Sequence, residues 1–273
     1  MPLLQDRTLR DRALRRLPPW LVQKVPRDHW DSDGAFRRRR QVVGVTSVAG
    51  AGLLGASLAS RPGSTRFYGL TGATAATWIA GGLASGRLHL GREAGPGGAL
   101  RRPVVTPVLT GLAAFGVFYA GALVTRRIPV IGPAVASVLR YADQGTLPLV
   151  YATTLVNGAA EEVFFRGALY AAIPRGPAVA STGVYMLATT ATRNPALVLA
   201  SGLMGALFGL QRRASGGIQA PLLTHLTWSA LMLRYLPPLF RDVPSAATGT
   251  GAGPQTRKAR RPSRSRSTSA SST

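Results

Sequence analysis

Charged residues in this chain are separated from long apolar stretches, and this separation limits what the chain can fold into. The stretches consist mainly of Ala, Val, Leu and Gly and run for about 20 residues at a time, the length that a helix needs to cross the hydrocarbon core of a bilayer. Of the 273 residues, 16% are charged and 46% are hydrophobic. The pattern predicts an all-α fold, a polytopic bundle of transmembrane helices.

We predict about seven spans and one further short helix. The segment 129–146 is only intermittently apolar, because Pro129, Pro133, Arg140 and Asp143 interrupt it. It is therefore expected to form an interfacial or re-entrant helix. The predicted spans are 41–60, 67–86, 104–125, 147–173, 178–192, 195–211 and 216–239.

Both ends of the chain differ from its apolar middle. We predict a basic cytoplasmic arm over 1–40, a transmembrane helical domain over 41–240 and a disordered basic tail over 241–273. The tail has too little apolar surface to offset the entropy of ordering. The arginines at 37–40 precede the first span, which favours a cytoplasmic N-terminus. Arg far outnumbers Lys in this Ala/Gly/Pro-rich chain, which favours a GC-rich bacterial source and a bacterial cell membrane.

The net charge of +23 does not indicate a nucleic-acid partner. The basic residues flank apolar segments, and neither a recognition module nor an interleaved aromatic platform accompanies them. We expect them to hold short loops beside the lipid bilayer and to meet anionic head groups. Since the chain contains no cysteine, disulfides, thiolate catalysis and Cys-ligated zinc are excluded.

The predicted fourth span carries Glu161, Glu162 and Arg166. An ionised residue at the bilayer centre costs about 2.5–3.5 kcal/mol on insertion scales, so this group must face other helices. Glu162 precedes Arg166 by one helical turn, the favourable order for an ion pair. Glu161 has no such partner and lies one turn beyond Asn157. The group is either a structural salt bridge beside a protonated Glu161, or part of a functional site.

His225 favours the functional interpretation, because histidine is uncommon in membrane spans and a neutral imidazole binds metals or carries protons. Alone, it is more typical of a packed polar residue that bonds across helices. With two buried glutamates available, we expect it to share a site with them. His29 and His89 lie in the arm and in a loop, so neither is expected beside Glu161.

These residues resemble the CPBP intramembrane endopeptidases, a family that includes CAAX prenyl proteases and bacteriocin-processing (Abi) proteins. Members carry a Glu-Glu-x-x-x-Arg motif, then Phe-x-x-x-His on a later helix, then a motif of the His-x-x-x-Asn type. Glu161, Glu162 and Arg166 match the first motif, and the stretch 217–225 looks typical of the approach to the third. The similarity covers about residues 145–240.

The resemblance implies a hydrolase in which a glutamate activates water for attack on a peptide carbonyl. Carried over by position, Glu161 would be the carboxylate that activates the water, and Glu162 and Arg166 would be the pair that orients this carboxylate. His225 would bind a metal or stabilise the oxyanion. A base beside water in a dry cavity, with cationic or metal help, is what amide hydrolysis requires. The substrate would be a peptide or a membrane protein.

Two positions depart from the family motifs. Thr189 stands where the second motif has histidine, one turn after Tyr185, and Ser229 stands where asparagine is usual. The resemblance still allows a divalent metal, zinc before other ions, with His225 and Glu161 as ligands. A catalytic zinc site normally has three protein ligands of the His, Glu or Asp type, however, and Thr189 is a poor one.

Three functions are therefore compatible with the sequence. The first is an intramembrane endopeptidase, supported by Asn157, Tyr185, Thr189 and Ser229 around its catalytic groups. The second is an inactive relative that binds or scaffolds membrane partners. The third is a small transporter with a proton relay, although the paired repeats typical of carriers are missing.

Overall fold

The computed structural model describes residues 31–95 and 98–243. Most of the predicted arm and tail lie outside the described residues, so those two predictions stay untested. The described residues are almost all helical, as predicted, and their strands form one short hairpin, Glu93–Ala94 (β1) with Leu100–Arg101 (β2). The helices are α1 (Asp33–Leu58), α2 (Thr65–Ala84), α3 (Val105–Thr125), α4 (Ile131–Asp143), α5 (Leu147–Glu161), α6 (Pro177–Thr190), α7 (Pro195–Ser215) and α8 (Gln219–Tyr235), followed by a 3-10 turn, Pro237–Phe240.

Helix α5 does not stop at Glu161. It continues as a π-helical segment, Glu162–Leu169, and then as a last α-helical turn, Tyr170–Ala172. The whole run matches the span predicted over 147–173 and ends before Pro174, as expected for a residue that cannot continue a helix. Single π turns inside α-helices are frequent at functional sites.

Three of the described helices, α1, α3 and α7, are long and apolar enough to cross a membrane. The helical segments agree closely with the predicted elements, and α4 is the short helix expected over 129–146. Of the other helices, α4, α5, α6 and α8 have fewer than 18 residues, although α5 continues directly into the π segment. Helix α2 has 20 residues, but glycine and threonine lower its hydropathy. The chain is an integral membrane protein, and the count of about seven spans stays a prediction.

The first helix begins earlier than predicted. Ser32 caps α1 at its N-terminus by accepting a hydrogen bond from the backbone N–H of Ala35, so the arginines at 37–40 lie inside the helix. Arg39 is buried, because Asp31 pairs with its Nε at 2.7 Å and the Arg87 carbonyl accepts from its Nη2 at 3.2 Å. The sequence boundary at residue 40 therefore falls inside a helix whose first turns are basic.

Helix α7 is also longer than predicted, and it includes Arg212 and Arg213. It ends at Gly216, which has a φ of 72° and so takes the left-handed conformation that favours glycine at this position. Consequently α8 begins at Gln219 rather than at 216. The turn between them hydrogen-bonds to the loop after α2, through Ile218 N–H to the carbonyl of His89 at 2.8 Å.

The helices pack as three pairs around one central helix. The pairs are α1 with α2, α6 with α7 and α3 with α8, and the run from α5 through the π segment contacts members of all three. An aromatic cluster fills the centre: the rings of Trp78 and Phe164 stack with centroids 4.6 Å apart, and Phe165 contacts Tyr185 at 4.6 Å. The central helix is therefore packed among aromatic rings directly after the two glutamates.

Candidate active site

Glu161 and Glu162 lie at the junction between α5 and the π segment, at the centre of the bundle. Adjacent residues of a helix point about 100° apart. The two carboxylates therefore face different neighbours: Glu161 faces α6, whereas Glu162 faces α8.

The Glu162 side chain is completely buried and bonds to two charged or ionisable groups. Its Oε1 accepts a hydrogen bond from Arg166 Nη1 at 3.3 Å and lies 2.9 Å from His225 Nδ1. Because an ionised carboxylate only accepts, Nδ1 is assigned as the donor. Glu162 thus ties α8 to the π segment, and the predicted pair with Arg166 is present.

Aromatic rings hold the Arg166 guanidinium on two sides. Its central carbon lies 4.6 Å from the Tyr185 ring centroid and 5.0 Å from that of Phe208. Such cation–π contacts stabilise a desolvated guanidinium. The Arg166 carbonyl accepts a hydrogen bond from Arg212 Nε at 2.7 Å, which attaches α7 to the same turn.

Glu161 is less enclosed than Glu162 and accepts a hydrogen bond from Tyr185. The Tyr185 hydroxyl lies 2.5 Å from Oε2 of Glu161 and connects α5 to α6. The sequence shows no partner for Glu161, and in the structure the phenol of Tyr185 on the next helix is its partner. Tyr185 lies one turn before Thr189 and occupies the first position of the second motif.

A cavity of about 280 Å³ lies beside these groups. Glu161 and His225 both line it, so the two residues predicted to share a site face one space. Every supporting residue predicted from the sequence lines it as well: Asn157, Tyr185, Thr189 and Ser229. Glu162 and Arg166 lie behind this wall and do not line the cavity.

The cavity-lining polar residues differ in what their side chains already bind. Thr189 Oγ1 donates to the carbonyl of Tyr185 in its own helix at 2.8 Å, so this hydroxyl proton is used locally. Asn157 Nδ2 donates to the carbonyl of Thr71 at 3.2 Å, which links α5 to α2. Gly158 lies against His225, and a Cβ there would meet Nε2 of the imidazole at 3.4 Å, an ordinary van der Waals contact.

The described side chains do not fit a three-ligand metal centre. Among residues 31–95 and 98–243, no group of three or more His, Asp or Glu residues is arranged to hold an ion. Glu162 already bonds directly to His225, and Glu161 bonds to Tyr185. The zinc prediction gains no support from this donor set and stays a prediction.

Sequence reasoning missed Phe208 and Arg212, which complete the site from α7. The Phe208 ring stacks on His225 with centroids 4.9 Å apart, and Arg212 lies over the Tyr170 ring at 4.9 Å. One signal was present in the sequence: Phe208 lies on the predicted span 195–211, and Arg212 follows that span, one helical turn after Phe208. Their partners on α5 and α8 are far away in sequence, so only the packing shows the contact.

Fold and site together define an integral membrane helical protein with a buried carboxylate, imidazole and guanidinium cluster beside a cavity. Residues 143–231 match the family model described as Type II CAAX prenyl endopeptidase Rce1-like. The match includes every residue of the candidate site and confirms the resemblance seen in the motifs. Comparisons with curated proteins and with solved structures gave no match.

Proposed function

We propose that the protein is an intramembrane endopeptidase that hydrolyses a peptide bond in the cavity beside Glu161. One observation carries the proposal: Glu161 and His225, from different helices, line the same cavity. The match to the endopeptidase family supports the same class of reaction.

In the proposed reaction, Glu161 is the general base. Tyr185 holds its Oε2, which leaves Oε1 for a water molecule. The water oxygen bonds to the peptide carbonyl carbon while its proton passes to Glu161, and the carbonyl oxygen becomes an oxyanion. We propose that His225 stabilises that oxyanion as an imidazolium, with Nδ1–H donating to Glu162 and Nε2–H donating to the oxyanion. When the C–N bond breaks, the proton on Glu161 passes to the leaving amine.

Glu162 and Arg166 act as positioning residues in this proposal. They do not line the cavity, and Glu162 bonds to the His225 ring through Nδ1. A carboxylate in that position fixes the orientation of the imidazole, as the buried aspartate does in Ser-His-Asp triads. The division of roles between the two glutamates follows from which one faces the cavity.

The experiment compares wild type, Glu161→Gln and Glu93→Gln with a peptide library in detergent. Glu93 is also a buried glutamate, but it pairs with Arg101 in the β-hairpin. We expect Glu161→Gln to lower cleavage by about 100-fold or more, because a general base contributes about 100- to 10,000-fold. Glu93→Gln should cleave like wild type. Equal cleavage by the wild type and Glu161→Gln would remove the proposal.

A second function, an inactive relative that binds membrane partners, is favoured by Thr189. Its hydroxyl proton is used within α6, so it does not replace the motif histidine. The variant Thr189→His separates the two functions. If the wild type binds peptides without cleaving them and Thr189→His gains cleavage, the binding function is correct. If the wild type cleaves, the binding function is excluded.

For the membrane topology we propose about seven spans and a cytoplasmic N-terminus. The chain has no cysteine, so single-cysteine variants can be labelled without background. Ser60→Cys after α1 and Arg87→Cys after α2 should react with a membrane-impermeant maleimide from opposite sides of the bacterial membrane. Labelling of both variants from one side would contradict the topology.

A further inference from the structure

A second and larger hollow adjoins the reaction cavity at the end of α1. Its volume is about 930 Å³, and the end of α1, helix α4 and the turn between α6 and α7 line it. The two spaces share four lining residues: Leu58, Val138, Tyr141 and Thr192. We call the larger hollow the vestibule, because a chain that lies in it reaches the wall of the reaction cavity.

The vestibule has a strong positive charge. Arg61, Arg140 and Arg193 line it, and its lining contains neither Asp nor Glu. Nε of Arg140 is shielded from solvent and has no hydrogen-bond partner among the described residues. A buried donor without an acceptor is costly. An anionic ligand would supply the acceptor and reduce the repulsion between the three cations.

The backbone holds Arg193 in a set orientation. Its φ is 56°, a left-handed conformation that an arginine rarely adopts. The next residue keeps the turn in place: Asn194 Nδ2 donates to the Ala134 carbonyl at 2.8 Å, and Asn194 Oδ1 caps α7. A strained residue fixed by its neighbours is often a functional one.

We propose that the vestibule binds an acidic segment of the peptide substrate and so selects substrates with carboxylates near the cleaved bond. This inference rests on the proposed function, because it assigns the substrate of the same site. The Ser60 hydroxyl donates its proton to the Ala56 carbonyl, and its oxygen can accept a hydrogen bond from a peptide N–H. A volume of this size suits a ligand of several residues.

A phosphate head group is the competing ligand for three arginines. The shared wall with the reaction cavity favours a peptide, because only a peptide has to continue into the space beside Glu161. The test therefore includes an anionic lipid as a separate probe.

Binding is measured on the Glu161→Gln protein in neutral detergent, by fluorescence anisotropy of labelled peptides. Two peptides are compared that are identical except at three positions, which are Asp in one peptide and Asn in the other. The variants are Arg140→Gln, Arg193→Gln and the double substitution, and Arg175→Gln in the turn before α6 is the matched control. Arg193 is exposed, so its variant should fold even if Arg140→Gln does not.

The Asp peptide should bind more tightly than the Asn peptide. The double variant should bind the Asp peptide about 10-fold more weakly than the Glu161→Gln parent does. Its affinity for the Asn peptide should not change, and Arg175→Gln should change neither affinity. Added salt should also weaken the binding of the Asp peptide, because it screens the charges. Equal binding of both peptides, or no binding of either, overturns the proposal. The proposal is also overturned if the arginine variants weaken the binding of short-chain phosphatidylglycerol but not the binding of the Asp peptide.

Because the Glu161→Gln protein is used, the result does not depend on cleavage. If the Asp peptide binds through the arginines but wild type cleaves nothing, the endopeptidase proposal fails and the acidic site stands. If wild type cleaves both peptides equally, the endopeptidase stands and the vestibule proposal fails.

Discussion

The Tyr185 hydroxyl donates a hydrogen bond to Oε2 of Glu161 over 2.5 Å, and this bond joins α6 to the centre of the bundle. The ring of the same tyrosine lies against the Arg166 guanidinium. One side chain therefore orients the proposed base with its hydroxyl and shields the positioning cation with its face.

Tyr185→Phe should slow turnover with little change in KM. A hydrogen bond to a charged group is worth about 1.5–3 kcal/mol, which corresponds to about 10- to 150-fold in rate. Cleavage kinetics in detergent measure it. Tyr151→Phe is the control, since that hydroxyl bonds to the Ala230 carbonyl at 3.4 Å, away from Glu161. Equal losses in both variants would mean that Tyr185 acts on folding and not on the base.

Glu162→Gln should destabilise the protein far more than Glu161→Gln. Glu162 is completely buried between Arg166 and His225. Removing its charge leaves the Arg166 charge buried without a partner, which costs about 3–5 kcal/mol. Thermal unfolding in detergent, followed by circular dichroism, measures the difference between the two neighbouring variants. Equal unfolding temperatures for both would contradict the anchoring role of Glu162.

Gly50→Ala should destabilise the packing of α1 against α2. A Cβ at Gly50 would overlap the Trp78 ring, which is fully buried. Overpacking of this kind costs about 1–3 kcal/mol. Gly52→Ala is the matched control, because a Cβ there meets open space, and it should be neutral or stabilising by about 1 kcal/mol. The same thermal unfolding assay measures both variants. Equal unfolding temperatures for Gly50→Ala and Gly52→Ala would contradict the close approach of Gly50 to Trp78.

Cleavage should survive treatment with EDTA, because the described residues do not group three ligands for a metal. Metal analysis of detergent-purified wild type and His225→Ala tests the point directly. An ion bound in a ratio of about one per chain by wild type and lost in His225→Ala would restore the zinc prediction.

Several features of this protein could be predicted from the sequence. The separation of apolar stretches from charges predicts the helical elements, and proline and glycine predict most of their ends. The rarity of ionisable residues in such stretches identifies Glu161, Glu162 and His225 as the residues of interest. These are local properties of composition and order along the chain.

The tertiary structure decided which side chains meet. The pair Glu162–Arg166 lies within one helical turn, so spacing predicts it. By contrast, the contacts of Glu162 with His225 and of Glu161 with Tyr185 depend on how three helices pack. Likewise, Arg39 looks like a membrane-flanking charge in the sequence, but Asp31 and the loop after α2 bury it. The sequence by itself determined the helices and the chemical groups they carry, because both are local. Only the packing decided which glutamate faces the cavity, because adjacent residues on a helix point about 100° apart and a small rotation exchanges their neighbours.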